Sequence, residues 1–156
     1  MDEVTHEQAN LLLKLYDMRR EPRLREACGW FMDQFKADSL EELQRLCPPG
    51  SPEERSFRMA TTFWDLCASL VNRGLIQEDI YFENVRDQAG VWFRLEPLIV
   101  GIRAMMKDPR LYSNLEEHAR RYEAWSVAKR SPDAAQGVRD YWEGRRRSIA
   151  SARQAD

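Results

Sequence analysis

The sequence predicts an all-α fold, and three observations predict it. Apolar residues recur at spacings of three and four along most of the chain, helix-start signals precede nearly every such stripe, and no segment alternates apolar with polar residues. The expected architecture is a single-domain bundle of about six to eight helices around a long central helix at residues 52–73.

Taken in order, Thr5 and Gln8 form a capping box ahead of Leu11, Leu12, Leu15 and Tyr16, which mark a first helix ending near Arg20. Pro22 restarts the chain, and Leu24, Ala27, Cys28, Phe31 and Phe35 give a second stripe. Ser39 and Glu42 cap a short third helix carrying Leu40, Leu43 and Leu46, which Cys47-Pro48-Pro49-Gly50 stops. Ser51-Pro52-Glu53-Glu54 then combines an N-cap serine, a first-turn proline and first-turn acids, and the helix it opens runs about 33 Å to Gly74. Along it Phe57, Ala60, Trp64, Cys67 and Val71 form one apolar row, with Phe63, Leu66 and Leu70 beside it. A third row, Arg58, Thr62, Asp65, Ser69 and Asn72, keeps the period but is polar.

A short connecting helix follows at 77–84. The stretch 87–107 carries Val91, Trp92, Leu95, Leu98, Ile99, Ile102, Met105 and Met106, and Pro97 inside it either kinks one helix or splits it in two. Asp108-Pro109 starts a helix through Leu111, Tyr112, Leu115, Ala119, Tyr122 and Trp125 to about Lys129. Ser131-Pro132-Asp133 opens a last, weaker one with Val138, Tyr141 and Trp142. The domain reading is therefore one body, residues 1–130, followed by a weakly helical basic tail, residues 131–156.

Composition sets aside several function classes. The net charge is only -2 over 156 residues, so no bulk attraction favours nucleic acid or an anionic membrane. Charge is nonetheless uneven: residues 1–56 hold 8 Lys/Arg against 12 Asp/Glu, and residues 119–147 hold 8 against 4. Cys28, Cys47 and Cys67 are odd in number and form no CxxC pair, which suits reduced thiols in a cytoplasmic protein. Met1-Asp2-Glu3 lacks a signal-peptide start, and Leu98-Ile99-Val100-Gly101-Ile102 is too short to span a bilayer.

Phe63-Trp64-Asp65, then Arg73-Gly74-Leu75-Ile76 with Glu78-Asp79, then Trp92, and then Leu95-x-Pro97-x-Ile99-x-x-x-Arg103 with Tyr112 occur in a fixed order. Over residues 57–116 this pattern resembles a family of uncharacterised, mostly bacterial, all-helical domains of unknown function. The resemblance implies the fold and no particular activity. Many members of that family carry a membrane anchor, and the chain is expected to lack one.

No catalytic, metal or cofactor constellation emerges. Glu3-Val4-Thr5-His6 has the spacing of a Glu-x-x-His metal motif but lies at the terminus, while His118 has Leu115 where the acid belongs and reads as a surface histidine. Cys28 and Cys67 sit on apolar stripes, where a thiol stays protonated, and the seven glycines form no phosphate-binding loop. Arg145-Arg146-Arg147, near Tyr141 and Trp142, is a basic cluster diluted by Asp140 and Glu143. It reads as a solvated tail first, a protein-docking helix second and a nucleic-acid contact last. The leading expectation is a non-enzymatic interaction or scaffold module that binds a protein partner or a second copy, with apolar residues around Trp142 as a candidate contact. The alternative is a small-molecule site in an aromatic pocket of Phe63, Trp64, Trp92 and Phe93 between the 52–73 and 87–107 helices. Asp65 and Arg103 are candidates for an interhelical ion pair or for orienting a ligand, with Arg58 as the rival partner of Asp65.

Overall fold

The central helix is α4, Pro52–Asn72, and its start is built as the residues dictate. Ser51 Oγ accepts the Glu54 N–H at 3.0 Å, and the Glu54 carboxylate accepts the Gly50 N–H at 2.7 Å. At its far end Gly74 sits at φ +72°, a left-handed position that stops the helix without a Cβ penalty. The computed structural model describes residues 3–155. Met1, Asp2 and Asp156 lie outside the described residues, and with them part of the Met1-Asp2-Glu3 start on which the expectation about a signal peptide rests.

Around α4 are α1 (His6–Arg19), α2 (Pro22–Asp33), α3 (Leu40–Leu46), α5 (Glu78–Asn84), α6 (Asp87–Leu95), α7 (Ile99–Met106), α8 (Ser113–Lys129) and α9 (Ala134–Ala155). No strand occurs among the described residues. Glu96–Leu98 forms one turn of 3-10 helix joining α6 to α7. Glu96 and Ile99 both keep right-handed helical angles, so Pro97 tightens one turn and α6 runs on into α7 without a break in helical conformation.

α4 packs chiefly against α2 and α8, which is why it carries two apolar rows. Phe31, Phe35 and Phe57 meet on the α2 side with ring centroids 4.9–5.9 Å apart. Phe35 belongs to this cluster although it lies beyond the end of α2. Trp64 and Trp92 are both buried in the same continuous core. Leu66, expected in an apolar row, is half-exposed on the outer side of α4.

Where the sequence suggests a weakly helical tail, α9 is continuous over 22 residues. Trp142 is 7 % exposed and its ring lies on Gly90: a Cβ added there would fall 2.6 Å from it. Its arginines reach the α2–α3 connection. Arg145 pairs with Asp33 at 2.5 Å, Arg146 pairs with Asp38, and Arg153 donates to the Gln34 and Lys36 carbonyls. The basic cluster is thus engaged within the chain, except that Arg147 is largely exposed beside Glu143.

Candidate functional site at the α7–α8 turn

Between α7 and α8 the backbone takes a left-handed conformation twice at residues that have a Cβ, Lys107 at φ 53° and Tyr112 at φ 59°. Such positions persist only where surrounding contacts hold them. The Asp108-Pro109 signal does not start α8 here. Asp108 Oδ1 accepts the Arg110 N–H at 2.9 Å in a local turn, and the helix begins three residues later than that turn, at Ser113.

Tyr112 therefore occupies the N-cap of α8 without a side chain that can cap it. Asp65 supplies the missing acceptor from α4: Oδ1 takes the Leu115 N–H and Oδ2 the Asn114 side-chain amide, each at 3.1 Å. A carboxylate at a helix N-terminus is stabilised by the exposed N–H groups and by the helix dipole. At the last residue of α4, Asn72 Nδ2 donates to the Asn114 carbonyl at 3.0 Å. Tyr112 itself is buried, its hydroxyl 2.8 Å from Thr61 Oγ1, and that hydroxyl in turn donates to the Phe57 carbonyl at 2.8 Å.

Arg103 braces the same turn from α7. Its Nε donates to the Leu111 carbonyl at 2.9 Å and its Nη2 pairs with Glu116 at 2.8 Å. The Glu116 carboxyl is held below the usual carboxylate range, first by this hydrogen bond. Asp65 and Arg103 do not pair with one another; the expected interhelical pair is replaced by two separate anchors on the first turn of α8. Arg58, the rival partner, lies on the outside of α4 near Glu54.

The four aromatic candidates do not share a pocket. Phe63 and Trp64 line a crevice against α1 of about 10 Å³, and Trp92 and Phe93 line another of about 20 Å³ beside α8 and α9. Each has room for about one water.

Several polar residues inside the bundle were not anticipated. His118, expected on the surface, is 1 % exposed and stands edge-on to Tyr81 and Phe82, its pKa pulled down to about 3 first by burial. Its place on the Leu115–Ala119–Tyr122 stripe was the available signal. Gln88 is buried, donates to the Trp64 carbonyl at 2.8 Å and accepts from the Tyr81 hydroxyl. Arg94 donates at 2.9 Å to both the Phe31 and Phe35 carbonyls and so caps the end of α2; it falls between Val91 and Leu98 at helical spacing. Cys47 and Cys67 are buried, and burial pushes their thiols up to about 11 and 12.

From this braced turn the chain presents a run of exposed residues, Ala104 to Arg110, continuous with Val100, which is 79 % exposed. No described helix is long and apolar enough to cross a membrane. Fold and site together define an all-α domain whose central helix anchors a strained, outward-facing turn. The chain belongs to the DUF4760 family, a domain of unknown function, which it matches over residues 4–122. Comparison with curated proteins and with solved structures gives no match.

Proposed function

We propose that the chain is a non-enzymatic protein-interaction module whose contact surface is the outer side of α7 and the turn that follows it. The observation that carries this reading is the composition of α7. Seven of its eight residues, Ile99-Val100-Gly101-Ile102-Arg103-Ala104-Met105-Met106, are uncharged, yet Val100 is 79 % and Met106 58 % exposed and Met105 is half-exposed. A helix apolar on every side is ordinarily buried, and methionine adapts readily to a partner's shape. Lys107 and Arg110 rim the patch, which favours a partner surface that is apolar with acidic groups at its edge. The bracing by Asp65, Arg103 and Tyr112 supports the reading because a turn held rigid loses little freedom on binding.

The non-enzymatic part draws support from the groups that carry chemistry elsewhere. The three thiols are buried, and His118 lies in an aromatic cluster with its ring kept neutral. A photo-crosslinking residue in place of Met106, with one in place of the exposed Val127 as control, tests the proposal in cells. The expected result is a discrete adduct from position 106 alone that is lost in a Lys107→Glu/Arg110→Glu background. An adduct of twice the chain's own mass identifies a second copy as the partner. Equal labelling from both positions, or none from position 106, overturns the proposal.

A further inference from the structure

A second feature lies away from α7, where α9 faces α2 and the end of α1. There the chain leaves a half-open cleft of about 300 Å³, with Arg19, Arg25, Cys28, Trp64, Tyr141 and Trp142 in its walls. That volume is at the lower end of the range for small-molecule sites.

The charges around the cleft are not balanced. Arg19 pairs with Asp87 and lies over the Trp64 ring, 5.1 Å from its centroid, and Arg145 pairs with Asp33 at 2.5 Å. The Arg25 guanidinium, exposed on the same wall, makes no ion pair or hydrogen bond among the described residues. Three guanidinium groups, those of Arg19, Arg25 and Arg145, thus line the cleft beside the two carboxylates of Asp33 and Asp87. The Tyr141 ring stands edge-on to Trp142 with centroids 4.9 Å apart and is itself largely exposed, an apolar face beside the excess of positive charge.

We infer that this cleft binds a small organic anion carrying a planar ring, its anionic group received by Arg25 and its ring laid against Tyr141. A guanidinium fork matches a carboxylate or phosphate group, and the aromatic wall selects the ring. The inference goes beyond the interaction surface on α7, and a chain altered at Met106 keeps the site.

Calorimetric titration of the whole chain with benzoate and with indole-3-acetate, each beside its neutral amide, provides the test. The expected result is saturable binding of at least one acid with Kd tighter than about 1 mM, and binding of its amide weaker by about tenfold or more. Arg25→Ala, a surface change that leaves the core intact, weakens the acid by a similar factor, Arg25→Lys restores part of it, and Tyr141→Ala weakens it separately. Saturable binding by neither acid, equal binding of acid and amide, unchanged binding by Arg25→Ala, or inorganic phosphate binding as tightly as the ring-bearing acids would overturn the inference.

Discussion

The last two helices are attached to the body by different means. α8 is joined to α4 through directional contacts that complete its first turn: the Asp65 carboxylate at its N-terminus, the Thr61–Tyr112 hydroxyl pair and the Asn72–Asn114 bond. α9 is attached by the Trp142 ring on Gly90, by Val138 against the edge of the core and by arginines whose ion pairs are mostly at least partly open to water. Pairs of that kind contribute about 0–1 kcal/mol each, whereas an uncapped, half-buried helix start costs more and fixes position as well. The family match ends at Tyr122, inside α8 and before α9. The contrast suggests a body in which α8 is integral, and a last helix that can leave without unfolding the rest.

The largest effect belongs to the body's core. Trp64→Ala or Trp92→Ala should cost about 3–5 kcal/mol in urea unfolding, since both rings are buried in one continuous cluster. A loss below about 1 kcal/mol from either would place that ring outside the cooperative unit.

Acid should sharpen the contrast next. The unfolded chain protonates His118 below about pH 6.5, while the folded chain keeps it neutral down to about pH 3. Its contribution is therefore complete above pH 6.5 and is lost as pH falls, by up to about 1.4 kcal/mol per pH unit. His118→Phe should flatten that slope in denaturant midpoints measured between pH 7 and pH 4; an unchanged slope would assign the acid sensitivity to other groups.

Smaller again is the capping contact. Asp65→Ala should cost about 1–2 kcal/mol by leaving the Leu115 N–H without its acceptor. Because Asp65 and Arg103 hold different atoms of the turn, a double-mutant cycle with Arg103→Ala should show coupling below about 0.5 kcal/mol. Coupling above about 1.5 kcal/mol would restore a direct pair between them.

The smallest effect on global unfolding should come from α9. Gly90→Ala drives a Cβ into the Trp142 ring and should expose residues 131–155 to limited proteolysis, while the body's unfolding midpoint moves by less than about 1 kcal/mol. Protection of α9 from protease in this variant would mean that the ring repacks in place.

The helix starts were legible because capping is local: Thr5, Ser39 and Ser51 each accept the N–H three residues on, as their spacing implies. Pro97 was legible as a disturbance, but whether it bends or divides a helix depends on the packing of Leu95 and Leu98, which the local sequence does not contain. Asp65 was recognisable as a polar residue on a buried helix, yet its partner is a backbone N–H 50 residues away, and a backbone group leaves no mark in the sequence. Tyr112 in a left-handed turn was missed for another reason: Asp108-Pro109 imitates a helix start, but α8 begins at Ser113. For α9, the decisive residue is Gly90 in another helix: the absence of its side chain makes the seat for Trp142.

Native-state hydrogen exchange on the whole chain tests the central claim most directly. The account predicts that α9 amides, including those flanking Trp142, exchange through a local opening of lower free energy than the slowest amides of α4 and α8, with little dependence on denaturant. If α9 amides exchange only with the global unfolding event, at the same free energy and with the same denaturant slope as α4, then α9 is part of the body and the distinction between the two attachments fails.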